Sequence, residues 1–281
     1  MILLTALGTL AQIRAAADEL DRHDPSPADA VSWFEEKPGK FRIEVYVPTK
    51  QDALSVEAIV GAAAPELHLK QKKVKAADWV AMSLEGLPAV RAGRFVVAGA
   101  HALMAENNGR TKIWIEASEA FGTGHHGTTW GCLMALESVL RERRVERVLD
   151  MGAGSGVLAI AAAKQGAEAL AIEIDRRAAA IAEINTRQNK VAPRVQVIAG
   201  DGARYIAGKQ FDLVFANILM RPLIRLAPKL VRVLEPGGTL ILSGLLRQQA
   251  PLVREAYANR GLILEKQIPK ESWMTLVWRK P

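Results

Sequence analysis

Hydrophobic and polar positions fall into two regimes along the chain. In the first 73 residues, short period-two runs are interleaved with stretches of helical period. Residues 2–7 are an apolar run, and residues 10–20 set Leu10, Ile13, Ala16, Ala17 and Leu20 on one helical stripe. Residues 41–47 alternate, with Phe41, Ile43, Val45 and Val47 on one side, and stop at Pro48, which predicts a strand. Residues 52–60 return to the helical period, and residues 67–74 alternate weakly at Leu67 and Leu69 before Lys70, Lys72 and Lys73. Two helices among about four strands predict a small α+β domain of the split βαβ kind.

Residues 75–110 lack a clean period. They hold Trp79, Gly86, Pro88 and Gly93 and one strand-like run from Arg94 to Ala98, and are expected as a linker followed by the edge of a second domain. From about residue 112, strand runs (112–116, 148–151, 169–174, 195–199, 213–216, 239–242) alternate with helical stretches (129–141, 156–165, 176–189, 223–234, 247–259). Such alternation predicts right-handed crossovers and an α/β, doubly wound, mostly parallel sheet. Residues 262–268 and 273–278 have no helix between them and are expected as an antiparallel hairpin at one edge. The expected division is thus 1–73, a small domain; 74–110, linker and edge; and 111–281, the larger domain. Folds of this kind bind ligands at the carboxyl ends of the strands.

Composition adds boundaries to this picture. A length of 281 residues suits two domains, and 49% hydrophobic with 24% charged residues excludes a disordered or collagen-like chain. The net charge of +7 is uneven: residues 1–73 carry 9 basic and 11 acidic side chains, net −2, and the remainder 28 and 19, net +9. A basic C-terminal part invites a nucleic-acid partner. Aromatic residues, at 5%, are too scarce for a surface that grips single strands by stacking. Cys132 is the only cysteine, so no internal disulfide forms. The first eleven residues lack the charged start and cleavage site of a secretory signal, and no apolar run reaches the roughly 18 residues of a membrane span. A soluble, cytoplasmic protein with no membrane partner is expected. His23, His68, His101, His125, His126 and Cys132 show no tetrahedral zinc spacing, and no metal is expected.

Candidate chemistry begins at Val148-Leu149-Asp150-Met151-Gly152-Ala153-Gly154-Ser155-Gly156-Val157, where the first strand of the larger domain turns into a helix. A phosphate cradle requires G-x-x-x-x-G-K-[ST], and the nearest lysine, Lys164, is a helix away. A dinucleotide fingerprint is G-x-G-x-x-G, and here the third glycine comes one residue early. Asp150 repels a pyrophosphate and attracts a cation. S-adenosylmethionine carries an ammonium, a sulfonium and no phosphate, so the loop favours that cofactor; a plain tight strand–helix turn is the alternative. Glu173, about twenty residues past the glycines at the end of the next strand, is placed to accept both ribose hydroxyls. Asp175 suits the N-cap of the helix that follows. Asp201 ends the third strand, where it can receive an adenine amino group or merely form a turn. Asn217 ends the fourth, where it either orients a nucleophile or caps the next helix.

Residues 120–129 are rich in glycine and hydroxyls and read as a lid or cofactor-contacting loop, with Thr128 and Thr129 equally suited to helix capping. Adjacent His125 and His126 point in different directions, which argues against a metal pair.

Taken in order, Phe121-Gly122-Thr123-Gly124-x-His126-x-Thr128-Thr129, Asp150-x-Gly152-x-Gly154-Ser155-Gly156, Asn217-Ile218-Leu219 and Leu242-Ser243-Gly244-Leu245-Leu246 closely resemble bacterial ribosomal protein L11 methyltransferases. The resemblance runs from about Trp79 to Lys280 and is faint over residues 1–73. It implies a Rossmann-like class I methyltransferase domain and a smaller, ferredoxin-like N-terminal domain that docks the ribosomal protein substrate, with a mobile linker between them. It implies S-adenosylmethionine binding through Thr129, Gly152, Glu173 and Asn217. The full candidate set adds Phe121, Gly122, Thr123, Gly124, Asp150, Gly154 and Asp201. The resemblance also implies that methyl groups go to lysine side chains and the N-terminal amine of the substrate, and Asn217 is expected as the catalytic residue. No direct nucleic-acid binding is required. Three positions depart from the family: Glu173 replaces the usual aspartate, and His125 and Gly127 replace a common threonine and proline.

Two other readings compete. Methyltransferases acting on the amino group of adenine carry Asn/Asp-Pro-Pro-aromatic where this chain has Asn217-Ile218-Leu219, which argues against a nucleic-acid base as acceptor. A non-catalytic ribosome-binding module of the same fold is opposed by acids at three successive strand ends.

Overall fold

The computed structural model describes residues 2–23, 26–28, 30–37, 39–73, 89–104, 106, 109–115 and 127–281. The chain divides into two compact units, Met1–Ser83 and Leu84–Pro281.

In the first unit, β1 (Ile2–Gly8) leads into α1 (Leu10–Arg22), β2 (Ala30–Lys37) and β3 (Lys40–Val47) form a hairpin, and α2 (Lys50–Ala63) leads to β4 (Lys70–Lys73). The sheet order is β2-β3-β1-β4, with every neighbouring pair antiparallel. Thr9 and Thr49 begin the helices as capping boxes with Gln12 and Asp52, so orphan N–H groups at both starts are matched. The period of two buries Ile2, Leu4 and Ala6 of β1 and Ile43, Val45 and Val47 of β3 against Ile13, Leu20, Val56 and Val60 of the helices. This is the split βαβ arrangement that the pattern predicts.

The second unit opens with a three-stranded sheet of β5 (Val90–Ala92), β6 (Phe95–Ala98) and β7 (Thr111–Trp114), with α3 (Ala100–Met104) crossing between the parallel pair β6 and β7. This corrects one expectation: the run at 112–116 is not a strand of the large sheet. The reason is packing. Ala92, Phe95, Val97 and Ile113 bury in one cluster with Leu133 and Leu136 of α4 (Gly127–Glu142), so the small sheet covers that helix.

The large sheet holds β8 (Arg147–Met151), β9 (Glu168–Glu173), β10 (Val195–Ala199), β11 (Phe211–Asn217), β12 (Leu234–Leu246), β13 (Ile263–Lys270) and β14 (Trp273–Arg279). Its order is β10-β9-β8-β11-β12-β14-β13; β8 to β12 are parallel, and β13 and β14 form an antiparallel edge hairpin. The expected strand at 239–242 is far longer, Leu234–Leu246. The central strands β8, β9, β11 and β12 are buried on both faces over most of their length, as parallel strands covered by helices are. Val148 and Leu213 join the α4 side together with α5 (Val157–Ala163), while Leu149 and Val214 meet Leu223 and Leu230 of α7 (Met220–Val233) and Val253 of α8 (Ala250–Ala258). Between them in sequence, α6 (Arg176–Gln188) lies over β9 and β10. Chain order runs outward from β8 through β9 in one direction and through β11 in the other, which opens a crevice at the strand ends between them. Among the described residues, no helix is long and apolar enough to cross a membrane.

Candidate functional site

Strand register assembles the rim. Asp150 lies beside Ala171 and Phe215, Glu173 beside Ala199, and Asn217 beside Ser243. After β8 the chain folds back on β9: the N–H groups of Gly152 and Ala153 both donate to the Ile172 carbonyl, at 2.8 and 3.0 Å. At Gly152 φ is +77°, and a Cβ there would lie 2.3 Å from Ile218 Cγ2. At Gly244 φ is +81°, and a Cβ would lie 2.4 Å from the Ile218 carbonyl oxygen. Only glycine adopts these conformations without cost. Ile218 is therefore clamped between two loops, and the turn that follows Asn217 is fixed.

Two asparagines of α6 complete the frame. Asn185 Nδ2 donates to the Ser155 carbonyl at 2.8 Å, inside the glycine loop. Asn189, one turn on, accepts the Trp114 N–H at 2.8 Å and donates to the Trp114 carbonyl at 2.6 Å. They tie the loop to the end of β7. Ile218 and Gly244 entered the sequence reading only within the strings that carry the resemblance, and Asn185 and Asn189 not at all; the i, i+4 asparagine pair was the available signal.

Three of the expected site residues carry a buried oxygen with no partner: Thr129 Oγ1, Asp150 Oδ1 and Asn217 Oδ1. They are 0%, 1% and 8% exposed. Leaving a buried polar atom unmatched costs about 1–3 kcal/mol, and native folds rarely tolerate it. Gln188 Oε1 of α6 and Trp278 Nε1 of β14 are also unmatched. Thr129 is linked to the strand ends through its neighbours: Gly131 abuts Thr275, whose hydroxyl bonds that of Ser243 at 2.8 Å. Since Thr129 Oγ1 has no partner, it does not cap α4. Asn217 does not cap α7 either, because Leu219 is the N-cap residue there.

The acids divide the work. Asp150 Oδ2 accepts the Ala159 N–H at 3.1 Å, placing the carboxylate beneath the loop at the start of α5. Burial, reinforced by the nearby charge of Glu173, raises this carboxyl to about 7. Its pull on a cation therefore acts from behind the glycine turn and not from an open wall. Glu173 is half-buried; its Oε2 accepts the Gly154 N–H at 2.8 Å and its Oε1 the Asp175 N–H at 3.1 Å. Asp175 caps α6 by accepting the Arg177 N–H at 2.8 Å. Asp201 is exposed just past β10, where Gly200 N–H holds the Glu173 carbonyl at 2.8 Å. Phe121, Gly122, Thr123 and Gly124, with His125 and His126, lie outside the described residues.

These groups fit S-adenosylmethionine. A half-buried carboxylate stands over the loop, a second acid lies behind it, and Thr129 and Asn217 hold buried oxygens without a partner.

Comparison with known proteins agrees. The model of the family described as Ribosomal protein L11 methyltransferase (PrmA) matches residues 7–281. A ribosomal protein L11 methyltransferase of Caulobacter sp. (strain K31) is 42% identical over 283 residues, covering 99% of this chain and 97% of that protein. That of Bradyrhizobium diazoefficiens is 43% identical over 282 residues, covering 98% and 96%. Among solved structures, a ribosomal protein L11 methylase from Lactobacillus delbrueckii subsp. bulgaricus has a TM-score of 0.60 and 27% identity, covering 69% of this chain and all of that one. The chain belongs to the ribosomal protein L11 methyltransferase family.

Proposed function

We propose that this chain transfers methyl groups from S-adenosylmethionine to amino groups of ribosomal protein L11, its lysine side chains and N-terminal amine. The observation that carries this reading is Asn217 Oδ1, a buried acceptor with no partner at the end of the fourth parallel strand. The chemistry supplied by bound S-adenosylmethionine is a methyl group on a positively charged sulfur, open to in-line displacement.

The acceptor must arrive as a free amine. A lysine with pKa near 10.4 is unprotonated about once in 2,500 at pH 7, a deficit of roughly 4–5 kcal/mol. Entry into a crevice beside a cation lowers the amine pKa by desolvation and by like charge. A strong base is then unnecessary. Asn217 Oδ1 accepts one amine N–H, which holds the nitrogen so that its lone pair faces the methyl carbon, and catalysis is chiefly positioning. Glu173 must release the Gly154 N–H, or share it, to accept ribose hydroxyls. Thr129, Gly152, Gly154 and Asp201 line the cofactor, Asp150 supports it from beneath the loop, and the family resemblance adds Phe121, Gly122, Thr123 and Gly124 to the cofactor-binding residues.

Residues 1–73 serve as the ferredoxin-like recognition domain, 74–110 as linker and edge, and 111–281 as the methyltransferase domain. The net charge of −2 on the first 73 residues complements a basic ribosomal protein, so substrate KM should rise with added salt.

The test is incubation with labelled S-adenosylmethionine and purified ribosomal proteins, followed by mass spectrometry. Label on lysines or the N-terminal amine of L11 supports the reading; label only on RNA, or none with the cofactor bound, overturns it.

A further inference from the structure

The catalytic unit carries a basic stripe that methyl transfer does not use. Arg221, Arg225, Lys229 and Arg232 recur at spacings of four, four and three along α7, and all four are exposed. The opposite face of the helix, with Leu223, Ala227, Leu230 and Val233, is buried in the core. The helix contains no acidic residue. None of the four basic side chains makes an ion pair or a hydrogen bond among the described residues. Several arginines elsewhere in the unit do meet acids: Arg94 and Arg141 share Glu137, Arg147 meets Glu235, Arg187 meets Glu183, and Arg279 meets Glu265. A run of cations left unneutralised on one rigid face repels itself and is stabilised by a polyanion.

The stripe has a direction. It starts two residues past the exposed Leu219, beside the turn after Asn217, and runs toward the amino-terminal ends of the strands. There Gln210 Nε2 donates to the Arg232 carbonyl at 3.2 Å. Gln210 also lines a groove of about 490 Å3 whose other polar walls include Lys209, Arg194 and Arg147, with Glu168 the one acid.

We propose that this face docks the sugar–phosphate backbone of RNA. From Arg221 to Arg232 the helix rises about 16 Å, long enough to follow several phosphates of a nucleic-acid strand. Arginine predominates, and its planar fork suits phosphate oxygens. The exposed face of α7 carries no aromatic residue, so contact is to the backbone and not to stacked bases. A membrane surface fits poorly, because the apolar side of α7 that would enter lipid is already committed to the core. The choice of RNA over other polyanions rests on the reading above, since a ribosomal protein substrate is made to meet RNA.

Binding is measured by fluorescence anisotropy of a labelled RNA hairpin, without L11, so that its failure is distinct from failure of methyl transfer. Four phosphate contacts predict a slope of log affinity against log salt near −3.6, at about −0.9 per contact. Replacing all four residues by glutamine should abolish that slope, and replacing the three arginines by lysine should retain it. Arg225→Gln alone should reduce it by about 0.9. Unchanged S-adenosylmethionine affinity by calorimetry verifies the fold of the glutamine variant; if that variant fails to fold, the single substitution decides. Equal RNA binding by wild type and variant, stronger binding of polyglutamate than RNA, or binding only to anionic vesicles would overturn the proposal.

Discussion

At the amino-terminal ends of the parallel strands, Asp212 accepts the N–H groups of Glu146 and Arg147 at 2.7 and 3.2 Å and lies 3.8 Å from the Arg143 guanidinium. Arg147 also meets Glu235, and Glu168 N–H donates to the Glu146 carbonyl at 2.7 Å. At the carboxyl-terminal ends of the same sheet, Thr129, Asp150 and Asn217 hold oxygens that nothing satisfies. Both ends belong to the same parallel strands. At the first end the Asp212, Glu146 and Arg147 groups match one another and contribute stability, although Trp278 Nε1 and Gln188 Oε1 stay unmatched away from the rim. The other leaves acceptors open, at a cost of about 1–3 kcal/mol each, for a ligand that arrives later.

The contrast is most sharply broken at Asn217. Asn217→Ala should lower kcat on the order of 100-fold, as expected when a reacting group loses its alignment, with a much smaller change in cofactor Kd. Steady-state kinetics and calorimetry on one preparation separate the two; unchanged turnover would remove Asn217 from catalysis. Glu173→Ala comes next. Loss of charged hydrogen bonds of about 1.5–3 kcal/mol predicts S-adenosylmethionine binding weakened about 10- to 100-fold, read by calorimetry. Wild-type affinity would sink the ribose assignment.

The matched end should respond in the opposite way. Asp212→Ala orphans two backbone N–H groups and should lower stability by about 1–3 kcal/mol in urea melts, with cofactor affinity unchanged. A loss of affinity as large as that of Glu173→Ala would erase the distinction between the ends. The smallest effect concerns Asp150. Its carboxyl ionises in the fold near 7, above an unfolded value near 3.9, so the native state holds the extra proton and loses stability as pH rises between them. A cationic ligand prefers the ionised form, so cofactor affinity should rise a few-fold from pH 6 to pH 8. Asp150→Asn should flatten that rise, and a rise of equal size in the variant would assign it to another group.

Much of this site was legible along the chain. Short apolar runs ending near Glu173 and Asn217 located both residues at the rim, because strand ends in a doubly wound sheet share one edge. Other features depend on depth or on long-range contact. Asp150 reads as an acid beside glycines, but its burial beneath the turn follows from α5 folding over it. The seat of Ile218 between Gly152 and Gly244 joins segments far apart in sequence. The runs at 94–98 and 112–116 were legible as strands, but β5 and the pairing of all three into a separate sheet were not, because that sheet owes its burial to α4. Nothing in the sequence marks Asp212, whose partners Glu146 and Arg147 lie 66 and 65 residues away.

The central claim is that the open acceptors at the carboxyl ends exist for S-adenosylmethionine. Its most direct test is a titration of isotope-labelled protein with the cofactor, followed by NMR. The account predicts shifts concentrated at Thr129, Gly152, Gly154, Glu173 and Asn217, with Glu146, Arg147 and Asp212 unmoved. Shifts centred on the amino-terminal ends, or none at saturating cofactor, would contradict it.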